Sequence, residues 1–227
     1  MSRRPCIAID GPVAAGKSTI ARLVARALGY AYIDSGAMYR ALSLAARAHS
    51  VAPEEPEQVS DLLNTVSIEL RPRPDGLNRV FVDGRDVTVE IRAPEVGQLA
   101  SSLSEIPEVR GRMVALQQEM ARAGGVVMEG RDIQTVVLPD AEVKIFLTAS
   151  PHERARRRCL ELRERGFEAD LGAVLAEIEA RDRRDSTRSH SPLRAAPDAI
   201  LLDTDGLTIE QVVERILAIV EERNLRA

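Results

Sequence analysis

The chain has 227 residues, 44% of them hydrophobic and 29% charged, with a formal net charge of −4. That balance fits one large globular domain, or one domain carrying a smaller insertion, and it disfavours a nucleic-acid binder. No apolar run reaches the ~18 residues of a membrane span, and the opening MSRRPCIAID has no signal-peptide core, so a cytoplasmic protein is expected.

Apolar runs alternate with helical periodicity along the chain. CIAI (6–9) precedes a helical stretch over 17–28, and YAYI (30–33) precedes another over 37–48. After a gap come VVM (126–128), VKIFL (143–147), a charged helix from 152, another from about 170, AILL (199–202) and a final helix from 208. The alternation predicts an α/β fold, a parallel sheet with helices on both faces. Residues 53–104 break the rhythm. Within them, VSIELRPRPDGLNRVFVDGRDVTV has two alternating segments around a Pro-Asp-Gly turn and then a second Asp-Gly. An inserted small antiparallel subdomain is expected there. Cys6 and Cys159 lack metal-ligand spacing and are expected to be reduced thiols.

The most specific local signal is GPVAAGKS at 11–18, which matches the phosphate-loop pattern through Gly11, Gly16, Lys17 and Ser18. Glycines let successive backbone N–H groups turn onto phosphate oxygens, and the following helix N-terminus adds a favourable dipole. Lys17 would supply a point charge to the β- and γ-phosphates, and Ser18 a hydroxyl for Mg²⁺. Among 31 basic residues only Lys17 and Lys144 are lysines, and one of them falls where the loop requires it. No Asn-Lys-x-Asp guanine reader is present, which excludes the GTPase pattern.

A second anionic site is spread along the chain. DSGAMYR (34–40) puts Ser35 and Arg40 at a helix start, where they suit a phosphate or simply cap the helix. EARDRRDSTR places Arg181, Asp185 and Arg188 on one helical face, a ligand surface or a salt-bridged solvent face. SPHERARRR clusters Arg154, Arg157 and Arg158. VVMEGRDIQT (126–135) ends an apolar strand with Arg131 beside Asp132. With the phosphate loop, these arginines point to two phosphate-bearing ligands end to end, a geometry that phosphoryl transfer needs.

IDGPVAAGKST, DSGAMYR, GRDI-T, PDAEVKIFL-AS, ERARRR and RD--D--R resemble, in order and spacing, the motifs of bacterial-type cytidylate kinases over nearly the full length. The resemblance implies a P-loop kinase core, a CMP-binding insertion at 53–104 and a short lid at 154–165. It implies ATP-dependent phosphorylation of CMP and dCMP with Mg²⁺; a monomer without nucleic-acid or membrane partners is expected. ATP would be held by Gly11, Pro12, Val13, Ala14, Ala15, Gly16, Lys17, Ser18 and Thr19, with Arg154 and Arg158 from the lid and Ser18 as metal ligand. The acceptor phosphate would meet Ser35, Arg40, Arg131 and Arg188; its ribose would meet Arg181 and Asp185; its base would meet Ser101, Arg110 and Asp132. Lys17, Arg131, Arg157 and Arg188 would carry the transfer. The chain departs from the family at Gln134, usually Gly, and at Glu129, commonly Asp. A P-loop kinase for another acceptor and a regulatory ATPase are the alternatives.

Overall fold

The computed structural model describes residues 4–73, 77–164 and 166–224. Its centre is β1 (Cys6–Asp10), buried at all five positions, as expected of a parallel strand covered on both faces. The glycine-rich loop leads from β1 into α1 (Lys17–Leu28), which starts after Gly16 and stops at Gly29, both in the left-handed region. Then come β2 (Ala31–Asp34) and α2 (Ser35–Ala48), whose N-cap Asp34 accepts a hydrogen bond from the Ala37 amide at 2.9 Å. This cap starts α2 two residues before the expected helix at 37.

The chain returns to the sheet with β6 (Val126–Gly130), β7 (Val143–Thr148) and β8 (Ile200–Asp203). The five strands are parallel in the order β2-β6-β1-β7-β8. After β1 the chain runs to one side of it and then to the other, so the carboxyl ends of β1 and its neighbours border the crevice where ligands bind in open α/β sheets. On one face, α1 and α8 (Ile209–Asn224) bury Ile20, Val24, Val212 and Ile216 against Ile7, Ile9, Ile145 and Leu147. On the other, Ala8 and Met128 pack with Ile133 and Val137 of a short π-helical turn (Ile133–Val137), and with α5 (Pro107–Ala121) through Ala121. A further cluster joins α6 (Pro151–Glu164) to α7 (Leu171–Thr187) through Ala155, Cys159, Val174 and Ile178, with Val13 and Ala14 of the glycine-rich loop resting against it. Cys6 and Cys159 are buried and are not joined in a disulfide.

The insertion contains the expected antiparallel sheet, three strands in the order β3 (Ile68–Pro72), β4 (Asn78–Val82) and β5 (Arg85–Asp86). Asp83 and Gly84, both at positive φ, make the tight turn between β4 and β5. The Pro-Asp-Gly turn at 74–76 lies outside the described residues. The region is not only hairpins, however. It also holds α3 (Pro56–Thr65) and α4 (Pro94–Leu103), and α5 follows directly. All three helices start Pro-Glu (Pro56-Glu57, Pro94-Glu95, Pro107-Glu108). Proline fits the first helical turn and an acid there meets the helix dipole, a start signal present in the sequence but overshadowed by the alternating segments. These helices pack on α2 through Met38, Leu42, Val59, Leu62, Leu103 and Met113. Among the described residues no helix is long and apolar enough to cross a membrane.

Candidate active site

The glycine-rich loop is shaped by one close contact and one turn. A Cβ on Gly11 would lie 2.0 Å from the Leu147 carbonyl oxygen of β7, so only glycine lets the chain leave β1 here. Gly16, at φ +87, turns the backbone into α1. Pro12 and Ala15 are buried, Val13, Ala14 and Gly16 half-buried, and Ser18 and Thr19 open to solvent. Lys17 is buried and donates from Nζ to the Pro12 carbonyl at 2.7 Å. Burial, and then the nearby Arg131 charge, bring its pKa down to about 7. The loop thus sets a glycine-rich backbone beside a buried lysine that gains from an anion.

At the end of β6, Ser35 Oγ donates to the Glu129 carbonyl at 2.6 Å. A Cβ on Gly130 would sit 2.6 Å from that same Oγ and 2.7 Å from Ile133 Cδ1, which accounts for the glycine in the Glu-Gly-Arg-Asp run. Arg131 and Asp132 then diverge. Arg131 Nε donates to Asp185 Oδ2 of α7 at 2.8 Å, while the Asp132 carboxylate pairs with Arg110 of α5, both side chains nearly fully buried. Arg110 also donates to the Ser104 carbonyl at 3.0 Å, and its guanidinium lies 5.9 Å from the centre of the Tyr39 ring. Ser101 lies one turn before, its carbonyl accepting from Ser104 Oγ.

Around this pair the cations outnumber their partners. Arg40 is held by Asp34 at 2.8 Å. Burial, then the Arg131 charge, lower the Arg181 pKa to about 10. Arg188 at the end of α7 is lowered too, by burial and then by Arg110. Burial pushes Asp185 upward, but Arg131, Arg181 and Arg188 together outweigh it and hold the carboxyl below its usual range. Among the described residues, six buried side-chain polar atoms have no hydrogen-bond partner, and three of them are Arg110 Nε, Arg181 Nε and Arg188 Nη2. Buried guanidinium donors without protein acceptors are suited to an anionic, oxygen-rich ligand.

The Arg154, Arg157 and Arg158 set on α6 differs from three arms extended over a ligand. Arg154 is buried beneath the glycine-rich loop, donating to the Ala149 carbonyl at 3.0 Å and the Val13 carbonyl at 3.2 Å, and pairing with Asp182 at 2.6 Å. Arg157 binds Glu153 and both oxygens of Thr204, each at 2.9 Å. Arg158 is tied to Glu161 at 2.8 Å. The last residue of the expected lid, at 165, lies outside the described residues.

The two departures acquire partners. Glu129 is buried, its carboxylate accepting from Tyr32 Oη at 2.8 Å with the Ser18 hydroxyl close by. Burial, then Asp34, raise its pKa, and burial, then Glu129, raise that of Tyr32. Gln134 Nε2 donates to the Ile145 carbonyl at 2.6 Å, and its Oε1 accepts from the Ala196 amide at 3.3 Å. Three other residues at the site went unread in the sequence: Tyr39 beside Arg110, Asp182 under Arg154, and Asp10. Asp10 ends a strand that is otherwise apolar, which is a signal in its own right, since a buried acid needs partners.

Comparison with known proteins identifies the family. The family model described as cytidylate kinase matches residues 7–222. A cytidylate kinase of Geobacillus thermodenitrificans is 55% identical over 223 residues, covering 98% of this chain and 99% of that one. One from Caldicellulosiruptor bescii is 51% identical over 211 residues, 93% of each chain. Among solved structures, an uncharacterised protein from Eubacterium ventriosum superposes with a TM-score of 0.52 at 11% identity, covering 97% of this chain and 99% of that one, a likeness of fold alone. With a phosphate loop at the switch point of the sheet and matches spanning nearly its whole length, the chain belongs to the cytidylate kinase family.

Proposed function

We propose that the protein transfers the γ-phosphoryl group of ATP to CMP, and to dCMP, giving the diphosphate. The observation that carries this reading is a set of arginines, Arg110, Arg181 and Arg188, that keep buried donors without protein partners in a chain of the cytidylate kinase family. In this reading the loop from Gly11 to Thr19 and Lys17 hold the ATP phosphates. Ser35, Arg40, Arg131 and Arg188 hold the acceptor phosphate, and Arg181 with Asp185 its ribose. The acceptor is already an anion at neutral pH, so charge neutralisation and alignment matter more than a strong base. Arg154 acts from below the loop, bracing Val13, while Arg157 and Arg158 leave their present partners when the lid over 154–165 closes. The Ser18 hydroxyl, with the Glu129 carboxylate near it, fits Mg²⁺, which prefers a few oxygen ligands and shared substrate phosphates. When bound, the ion would neutralise phosphate charge. The protein would work as a cytoplasmic monomer.

The base is read by the Asp132–Arg110 pair. A carboxylate beside a guanidinium offers an acceptor next to donors. Cytosine matches with its 4-amino donor and its N3 and O2 acceptors. Uracil would set a carbonyl against the carboxylate and an N–H against the guanidinium, leaving buried groups unpaired.

Three measurements test this. A panel of nucleoside monophosphates with Mg-ATP should show CMP preferred. Asp132→Ala should lower kcat/KM for CMP by about 10²-fold or more and shrink the CMP-to-UMP ratio, with ATP affinity nearly unchanged. Equal losses for CMP and UMP would make Asp132 structural, and ADP release without any acceptor would point to an ATPase.

The second concerns Lys17. Burial and Arg131 lower its pKa to about 7, and bound phosphate oxygens favour the ammonium. Binding of ATP at pH 8 should therefore take up protons, and affinity should fall as pH rises above 7. Calorimetry in buffers of different ionisation enthalpy reads this directly. Lys17→Met should abolish the uptake; wild-type binding with no proton exchange at pH 8 would contradict it.

The third concerns the insertion at 53–104, proposed as the acceptor-binding subdomain. Saturating CMP should slow limited proteolysis within it and within 154–165, because nucleotide kinases close over their substrates. Unchanged cleavage would remove that role.

A further inference from the structure

Asp10 is the last residue of β1 and directly precedes Gly11. It is fully buried. Its Oδ1 accepts from the Ile133 amide at 3.0 Å and its Oδ2 from the Gln134 amide at 2.8 Å. Those amides open the π-helical turn that follows Arg131 and Asp132. One carboxylate therefore joins the root of the phosphate loop to the root of the Arg-Asp pair. The turn is closed by the Val136 amide on the Asp132 carbonyl at 2.9 Å, and it is anchored to β7 and to Ala196 by the Gln134 side chain.

A cap is a common use for aspartate, and Asp34 and Asp170 cap α2 and α7 in this chain. Those two are exposed or half-exposed, so they cost little. Asp10 is different, because taking a carboxylate wholly out of water is expensive even with two backbone donors. Burial raises its pKa to about 7 despite both hydrogen bonds. Both oxygens are used on separate amides, so the chain entering the turn is fixed in position and in direction.

We propose that Asp10 is a positioning residue that fixes Arg131 and Asp132 relative to the phosphate loop before either substrate binds, and so sets the alignment of the acceptor. The proposal rests on the acceptor role given above to Arg131 and Asp132. Asp10 touches neither substrate; it acts through the backbone of Ile133 and Gln134.

Amide hydrogen exchange of the ligand-free wild-type protein tests the prepositioning. The Ile133 and Gln134 amides should be as protected as those of β1. If they exchange like an open loop until CMP is added, the proposal is overturned. Asp10→Asn tests the consequence. It keeps the shape but leaves one oxygen, and its amino group faces the other backbone N–H. The variant should keep ATP affinity within about threefold, raise KM for CMP by about tenfold or more and reduce the CMP-over-UMP preference. A loss of kcat alone, in proportion to the unfolded fraction and with KM and preference unchanged, overturns the proposal, as does wild-type behaviour. Should Asp10→Asn not fold, the amide protection of the wild-type protein decides. If wild-type protein turns over a different monophosphate, the CMP reading falls, while the same comparison with that acceptor still tests Asp10.

Discussion

The constraint on which this molecule depends is the desolvation of guanidinium groups. Arg110, Arg154, Arg181 and Arg188 are largely removed from water around one end of a parallel sheet, in a chain whose net charge is −4. A buried cation needs a nearby anion, and the protein supplies some but not all. Asp132 answers Arg110, Asp182 answers Arg154, and Asp185 is shared among Arg131, Arg181 and Arg188. The remaining unpaired donors each cost about 1–3 kcal/mol in a folded chain with no ligand. Such a deficit persists where function uses it, and an anionic, oxygen-rich ligand is the kind of partner that would relieve it.

The fold makes the deficit affordable by anchoring every cation to a rigid element. α7 carries Arg181 and Asp185 with Arg188 at its end, α5 carries Arg110, α2 carries Arg40, and β6 delivers Arg131 and Asp132. Two glycines permit the close approach of these elements: Gly11 lets the loop pass the β7 carbonyl, and Gly130 leaves room for Ser35. Arg154 links the floor of the phosphate loop to Asp182 on the helix that carries Arg181. The phosphate loop and the helix carrying Arg181 are thus held in place by side chains, as in-line transfer between two phosphates would require.

How much of this was legible in the sequence follows from the range of each interaction. The phosphate loop is eight consecutive residues whose roles are set locally, so its spacing alone identified it. The strand and helix alternation was legible because α1, α2, α7 and α8 each bury an apolar face against a sheet or a partner helix. The helices of the insertion were not, since α3 and α4 are ten residues each and lie beside alternating strands that drew the reading toward hairpins. Their Pro-Glu starts were the signal to use. The bond from Asp10 to Gln134 spans 124 positions in sequence, and no periodicity reports a cap at that distance. Gln134 looked like a departure with no purpose until its amide was placed between Ile145 and Ala196. The arginine set was legible as residues but not as geometry: Arg157 and Arg158 face partners of their own, whereas Arg154 reaches the loop.

The central claim, that the crevice holds a charge deficit which the acceptor relieves, is tested most directly by denaturation of wild-type and Arg181→Met protein with and without CMP. Without ligand, the variant should be at least as stable as wild type, because methionine keeps the apolar stem and removes a buried, unpaired donor. At a CMP concentration about 100 times the dissociation constant, wild type should gain about 2.7 kcal/mol, and the variant at the same concentration should gain far less. A variant that is less stable without ligand, yet gains as much from CMP as wild type, would show that Arg181 holds the fold together and that the deficit is not what the ligand answers.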